Sequence, residues 1–265
     1  MTVLVGGVAQ LYQGDLDFGR VAAERLAGED LGRDVLVEDL SYGAIAVVHR
    51  LEDLRPRALV LVGAAERERP SGSLERRRHQ PLDLQPDEVQ VAVGDAAVGY
   101  VSIDLLLKVA WGLGGLPERT VAIELEPASR EPSETLSALA QAGLEPALAL
   151  VRDEVRRVPV LELADELREL VAAEGAEQTG SLRALRALLD ELETVDREGR
   201  WGRTFAHRER LRRQIAEGHT GEGMSALDWG LWWALIEELD RLQPPEDRIS
   251  VEVVPNGGCS PPAGP

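Results

Sequence analysis

Two carboxylates, Asp15 and Asp17, stand one residue apart in the run "QLYQGDLDFGRVAAERLAG" (10–28), directly after the apolar opening "TVLVGGV". Acids at the point where a strand feeds a helix are placed to hold a divalent cation or to move a proton. Leu16, between them, can do neither. Asp104 in "VSIDLLL" and Glu66 in "GAAERE" are the further acids that a shared carboxylate site would draw on. The competing reading of Asp15 and Asp17 is local, because acids in a first turn cap a helix or complement its dipole. Successive helical residues point about 100° apart, so neither acid can simply take over the direction of Leu16.

Other reactive residue types give less. The four histidines, His49, His79, His207 and His219, lack metal-ligand spacing such as H-x-x-x-H, and read as solvated or partly packed. The single cysteine, Cys259, sits in the tail "NGGCSPPAGP", which excludes a disulfide framework and any cysteine-based metal site within one chain. No G-x-S-x-G elbow occurs. "WGLGGLP" follows a helix instead of a strand, and "VGGV" lacks the rest of a dinucleotide fingerprint.

The elements that must position Asp15 and Asp104 alternate between strand and helix. "TVLVGGV" reads as a buried strand, and Phe18, Val21, Ala22 and Leu26 follow at helical spacing. "DVLVEDL" (34–40) is a second strand, "YGAIAVVHRLEDL" a second helix, and "RALVLVGAA" (57–65) a third strand, apolar on both faces as a central parallel strand should be. "SGSLERRRHQPLDL" (71–84) reads as an edge strand or hairpin, followed by a long helix from about Ala97 to Gly112. "RTVAIELEP" (119–127) is the last strand, and "SETLSALAQAGLEPALALVRDEV" a closing helix with a break expected near Gly143 to Pro146. The fold class expected is α/β: a three-layer α/β/α domain with a mostly parallel five-stranded sheet over 1–156.

Beyond it the alternation stops. "VLELADELRELVAAEG", "SLRALRALLDELETV", "TFAHRERLRRQIAEG" and "SALDWGLWWALIEELDRL" make an all-helical extension over 157–247. Leu182, Leu185, Leu188, Leu189 and Leu192 form an apolar stripe on the second of these. Ser225 with Asp228 is a capping arrangement for the last helix. "DRISVEVV" reads as a short strand at the head of a Pro/Gly-rich tail, 248–265. Trp229, Trp232, Trp233 and Ile236 share a face that packs on the chain's own helices or anchors a partner or second copy, since tryptophan is enriched at binding hot spots. "HRERLRR" (207–213) is a basic island, a solvated face or a dock for acidic surface.

A formal charge of −18, from 47 acids against 29 bases, repels phosphate backbones and acidic lipid. Nucleic acid and membrane are therefore poor partners, and no apolar run approaches a membrane span. With no basic segment before its first apolar run, the chain is expected to be cytoplasmic.

The order of elements and several local motifs resemble the hydrogenase maturation endopeptidases, which trim the C-terminal peptide of nickel–iron hydrogenase large subunits after nickel insertion. Their opening G-N-x-x-x-x-D-D/E-x-x-G is answered by "GGVAQLYQGDLDFG", their acid and Gly-rich turn by "VEDLSYGA", and their V-D-A by "LVGAA". S-x-H-D/E is answered by "VSIDLLLKVAWGLGGLPE", and I-G-x-x-P by "AIELEPAS". The likeness spans roughly residues 2 to 156 and rests on spacing and pattern more than on identical motifs.

The resemblance implies three nickel ligands: an acid heading the first helix, an aspartate ending the third strand, and the histidine of S-x-H. In frame these positions hold Leu16, Gly63 and Ile103, none of which has a lone pair for nickel. The expectation is a protein without metal or other cofactor, and without catalytic residues. It would bind or chaperone a protein partner, a hydrogenase subunit by the resemblance, with the helical extension as a second contact. Two alternatives stand beside it: an active endopeptidase using a relocated site from Asp15, Asp17 and Asp104, or a structural subunit of another assembly.

Overall fold

The computed structural model of the chain describes residues 2–97, 99, 101–173, 180–199, 201 and 226–242. Two compact units result: Met1–Val158 with Arg197–Gly199, and Pro159–Asp196 with Arg200–Pro265.

The first unit is built on strands β1 (Val3–Val8), β2 (Val35–Asp39), β3 (Ala58–Ala64), β4 (Leu74–Arg78) and β5 (Arg119–Leu125), in spatial order β2-β1-β3-β5-β4. All pairs are parallel except β4 with β5, so "LERRR" is the antiparallel edge. β1 is buried throughout and β3 nearly so, which is why both read as unbroken apolar runs. Helix α1 (Phe18–Leu26) packs on one face of the sheet with the first part of α5 (Ala138–Ala173). Helices α2 (Ala44–Leu54), α3 (Pro86–Ala96) and α4 (Ile103–Gly112) cover the other. The three-layer α/β architecture with a mostly parallel five-stranded sheet is therefore present.

Two local expectations are corrected. The long helix expected from about Ala97 to Gly112 is shorter, Ile103–Gly112, and a separate helix, Pro86–Ala96, precedes it. The start of α3 carries a capping box between Gln85 and Glu88 and a proline in its first turn, and Ser102 caps α4 by accepting from the Leu105 N–H. The expected break near Gly143 to Pro146 is absent, and α5 runs through Pro146 and Pro159. Proline removes one intrahelical bond. Burial of Ala140, Leu144, Ala147, Leu148 and Val151 along the same face holds the helix regardless.

The glycines of "VGGV" set how closely α1 approaches the sheet. A Cβ on Gly7 would lie 2.2 Å from the Gly19 carbonyl oxygen, and one on Gly19 would lie 2.2 Å from that of Val8. Strand and helix thus meet backbone to backbone. This contact fixes the turn at Gly14–Asp17 beside the end of β1.

In the second unit, α5 continues from Pro159, joined by α6 (Gly180–Glu198) and α7 (Ala226–Leu242). Leu188, Leu189 and Leu192 of the expected stripe are buried with Leu161, Leu167, Trp201, Leu235 and Leu239. The side chains of Leu182 and Leu185 lie outside the described residues, as do Ser225, the "HRERLRR" segment, His207, His219, the "DRISVEVV" strand and the Cys259 tail.

Candidate functional site

In an α/β sheet the loops at the strand C-termini collect functional side chains, and here they gather the three positions singled out in the sequence. Gly63, the penultimate residue of β3, lies in register with Val8 of β1 and Glu124 of β5. Ile103 opens α4 and reaches back to it: a Cβ on Gly63 would sit 3.2 Å from Ile103 Cδ1 and 2.6 Å from the Val8 carbonyl oxygen. The isoleucine fills the space into which a side chain at 63 would grow, and is itself fully buried. Leu16 lies in the turn after β1, half-buried, its N–H donating to Gln13 O and its carbonyl accepting from Gln10 N. Leucine, glycine and isoleucine side chains offer neither imidazole nor carboxylate, so these residues do not fit nickel.

The nearby acids are each engaged elsewhere. Asp15 is fully buried and accepts four hydrogen bonds: from Ser137 N (2.7 Å), Ser137 Oγ (2.8 Å), Ala128 N (2.8 Å) and Ser129 N (3.0 Å). Burial pushes its pKa up, but the Ser137, Ala128 and Ser129 donors outweigh it and hold the carboxyl below its ordinary value. Asp15 therefore does not cap the helix it precedes. Its carboxylate ties the turn after β1 to the 126–137 loop, which also takes the Tyr12 carbonyl through Ser133 N (2.9 Å). Asp17 occupies the N-cap position of α1 but makes no side-chain cap bond. It instead chelates the Arg20 guanidinium, with Nε at 2.9 and 3.0 Å from its two oxygens. Glu66 pairs with Arg130 at the surface, 2.8 Å apart.

Asp104 belongs to a different network. Arg67, in the segment after β3, donates to both oxygens of Asp104 (2.7 and 2.8 Å) and to both of Glu124 (2.8 and 2.9 Å). The Arg67 bonds hold the Asp104 carboxyl below its usual range, against the opposing effect of burial. Glu124 and Asp104 in turn push the guanidinium's pKa up. Glu124 is fully buried and also takes Arg77 of β4 at 3.3 Å, while Glu126 accepts the Arg67 N–H at 2.8 Å. Burial lowers the pKa of His79 at the end of this edge, so its imidazole is held towards neutral.

Asp15, Asp17 and Asp104 thus go to a backbone loop, Arg20 and Arg67 respectively. Among the described residues no group of three His, Cys, Asp or Glu could hold a metal ion. The residue that sequence reasoning passed over is Glu124. It stands where the resembling pattern I-G-x-x-P has glycine, directly opposite Gly63, the position that answers the aspartate of V-D-A. Its carboxylate, one strand away from Gly63, is paired with Arg67 and Arg77. An acid inside an otherwise apolar buried strand, "VAIEL", was the signal that could have found it.

On the helical extension, Trp229, Trp232 and Trp233 lie within α7, their side chains outside the described residues. Ile236, read as part of the same partner face, is fully buried in the core of its own unit with Leu235 and Leu239. Among the described residues no helix is long and apolar enough to cross a membrane.

No protein-family model matches the chain, and no curated protein matches it. Solved structures do. The chain is similar to the hydrogenase 2 maturation peptidase of Thaumarchaeota archaeon SCGC_AB-539-E09, at 30% identity, over 57% of this chain and 95% of that one, with a TM-score of 0.42. It is also similar to the E. coli hydrogenase maturating endopeptidase HybD (20% identity, 57% and 90% covered, TM-score 0.41). The [NiFe] hydrogenase maturation protease HycI of Thermococcus kodakarensis KOD1 is a third (22%, 58% and 91%, 0.43). At 30% identity to a peptidase of which it covers 95%, the chain belongs to the hydrogenase maturation peptidase family.

Proposed function

We propose that this chain is a maturation-peptidase relative that has exchanged its metal site for apolar contact. Its role would be to bind or chaperone a protein partner in nickel–iron hydrogenase assembly, in the cytoplasm, without cutting it. The observation that carries this reading is the contact of Ile103 with Gly63, hydrocarbon packed where the family pattern calls for two ligands. Engagement of Asp15, Asp17 and Asp104 by other partners supports it, because a relocated carboxylate site would need them to converge. In this reading the sheet's C-terminal edge keeps the surface of a peptidase. The extension, 157–247, adds a second contact through Trp229, Trp232 and Trp233.

The test measures nickel bound by the purified chain and its action on a hydrogenase large-subunit precursor. The expected result is no stoichiometric nickel, no shortening of the precursor, and retention of the precursor in a pull-down. Tight one-to-one nickel or trimming of the precursor would overturn the proposal.

A further inference from the structure

Helices α3 and α4 are clamped at one end, where a Cβ on Gly112 would lie 2.5 Å from Val89 Cγ1. Along their other edge they part to form a cleft of about 730 Å³. Its apolar lining is Leu84, Val91, Ala92 and Leu105. Val91 is 63% exposed although it lies on the same helix as the buried Ala92 and Ala96. The α3 side of the rim carries Asp87, Glu88 and Asp95, and the α4 side Asp104. Lys108, the chain's single lysine, is the one cation lining the cleft among the described residues.

The charges sort by what they already do. Asp104 is held by Arg67, and Glu88 accepts the Gln85 N–H of the capping box. Asp87 and Asp95 are exposed, two turns apart on one face of α3. No three of these acids are grouped to hold one metal ion. The negative charge is instead spread along an apolar trough, the arrangement that complements a chain with cations spaced beside apolar side chains.

We infer that the α3–α4 cleft docks a basic, amphipathic segment of a protein partner, with apolar side chains on Val91, Ala92 and Leu105 and its Arg or Lys residues on Asp87 and Asp95. The volume suits a few side chains of such a segment. Lys108 acts against it, trimming affinity and opposing a segment with a cation at that end. This deepens the proposed binding role and rests on it only for the claim that the partner is a protein.

The probe is a short fluorescein-labelled Leu/Arg peptide of helical period, titrated into the full chain and read by anisotropy, with backbone amide shifts mapping where it sits. Binding is expected to perturb α3 and α4 amides and to weaken as salt rises. The double variant Asp87→Asn/Asp95→Asn should bind about tenfold more weakly, and Lys108→Met several-fold more tightly. All three positions are exposed, and an unchanged circular dichroism spectrum verifies that each variant is folded. Binding unchanged in the double variant, unchanged in Lys108→Met, or mapped to another face is general attraction to an acidic chain and overturns the inference. If the double variant loses the peptide yet retains a large-subunit precursor as well as wild type does, the cleft is not the dock and the binding role stands. If the peptide maps to the cleft but no precursor is retained, the cleft stands and the hydrogenase role falls.

Discussion

At the scale of single residues, Asp15 shows how a reactive residue type can be committed to structure. Both of its oxygens accept, so an amide in its place would push NH2 against backbone donors whichever way it turned. Asp15→Asn is therefore expected to cost about 2 kcal/mol, read as a lower denaturation midpoint at neutral pH. Because the folded carboxyl titrates below its ordinary 3.8, this stabilisation is complete above that value and is lost as pH falls through the depressed one. The gap between wild type and variant should close over that acid range. A gap that persisted with Asp15 protonated would deny the role of its charge. Arg67 is the matching case among cations. It joins the segment after β3 to the head of α4 and to β5 through its ion pairs with Asp104 and Glu124.

At the scale of elements, the close approach of α1 to β1 decides where the turn holding Asp15 and Leu16 can lie. Gly7→Ala puts a methyl 2.2 Å from the Gly19 carbonyl oxygen, which is backbone and cannot swing aside. The expected cost is at least about 3 kcal/mol. Gly94, within α3, makes the contrast: a Cβ there meets nothing within 4 Å. Gly94→Ala should stabilise by roughly 0.5–1 kcal/mol through helix propensity and the entropy of the unfolded chain. Chemical denaturation of the two variants checks both signs, and a neutral Gly7→Ala would contradict the backbone contact.

At the scale of the whole molecule, the chain joins an α/β unit to a helical one that has an apolar core of its own. Ile236 tests that core: Ile236→Ala removes a fully buried side chain and should cost about 2–5 kcal/mol, read as faster hydrogen exchange of the α6 amides. Unchanged exchange there would return Ile236 to the partner face on which its spacing placed it. The helical period of "LWWALIEEL" shows which residues share a face but not what covers that face, because packing partners come from α5 and α6, far away in sequence. The same limit runs through the α/β unit. The alternation of apolar runs with helical periodicity determined the layers and the mostly parallel sheet and marked "LERRR" as an edge strand or hairpin, since burial on two faces, one face or an edge each leaves its own local pattern. The in-frame motifs likewise singled out Leu16, Gly63 and Ile103, of which Gly63 and Ile103 are neighbours in the fold. Only the tertiary structure decided where the remaining carboxylates went. Asp15 found backbone donors more than a hundred residues away, Asp104 and Glu124 found Arg67, and α3 with α4 opened a trough between them. Hydrogen bonds and ion pairs act over a few ångströms of space, and the sequence fixes that distance only through the fold.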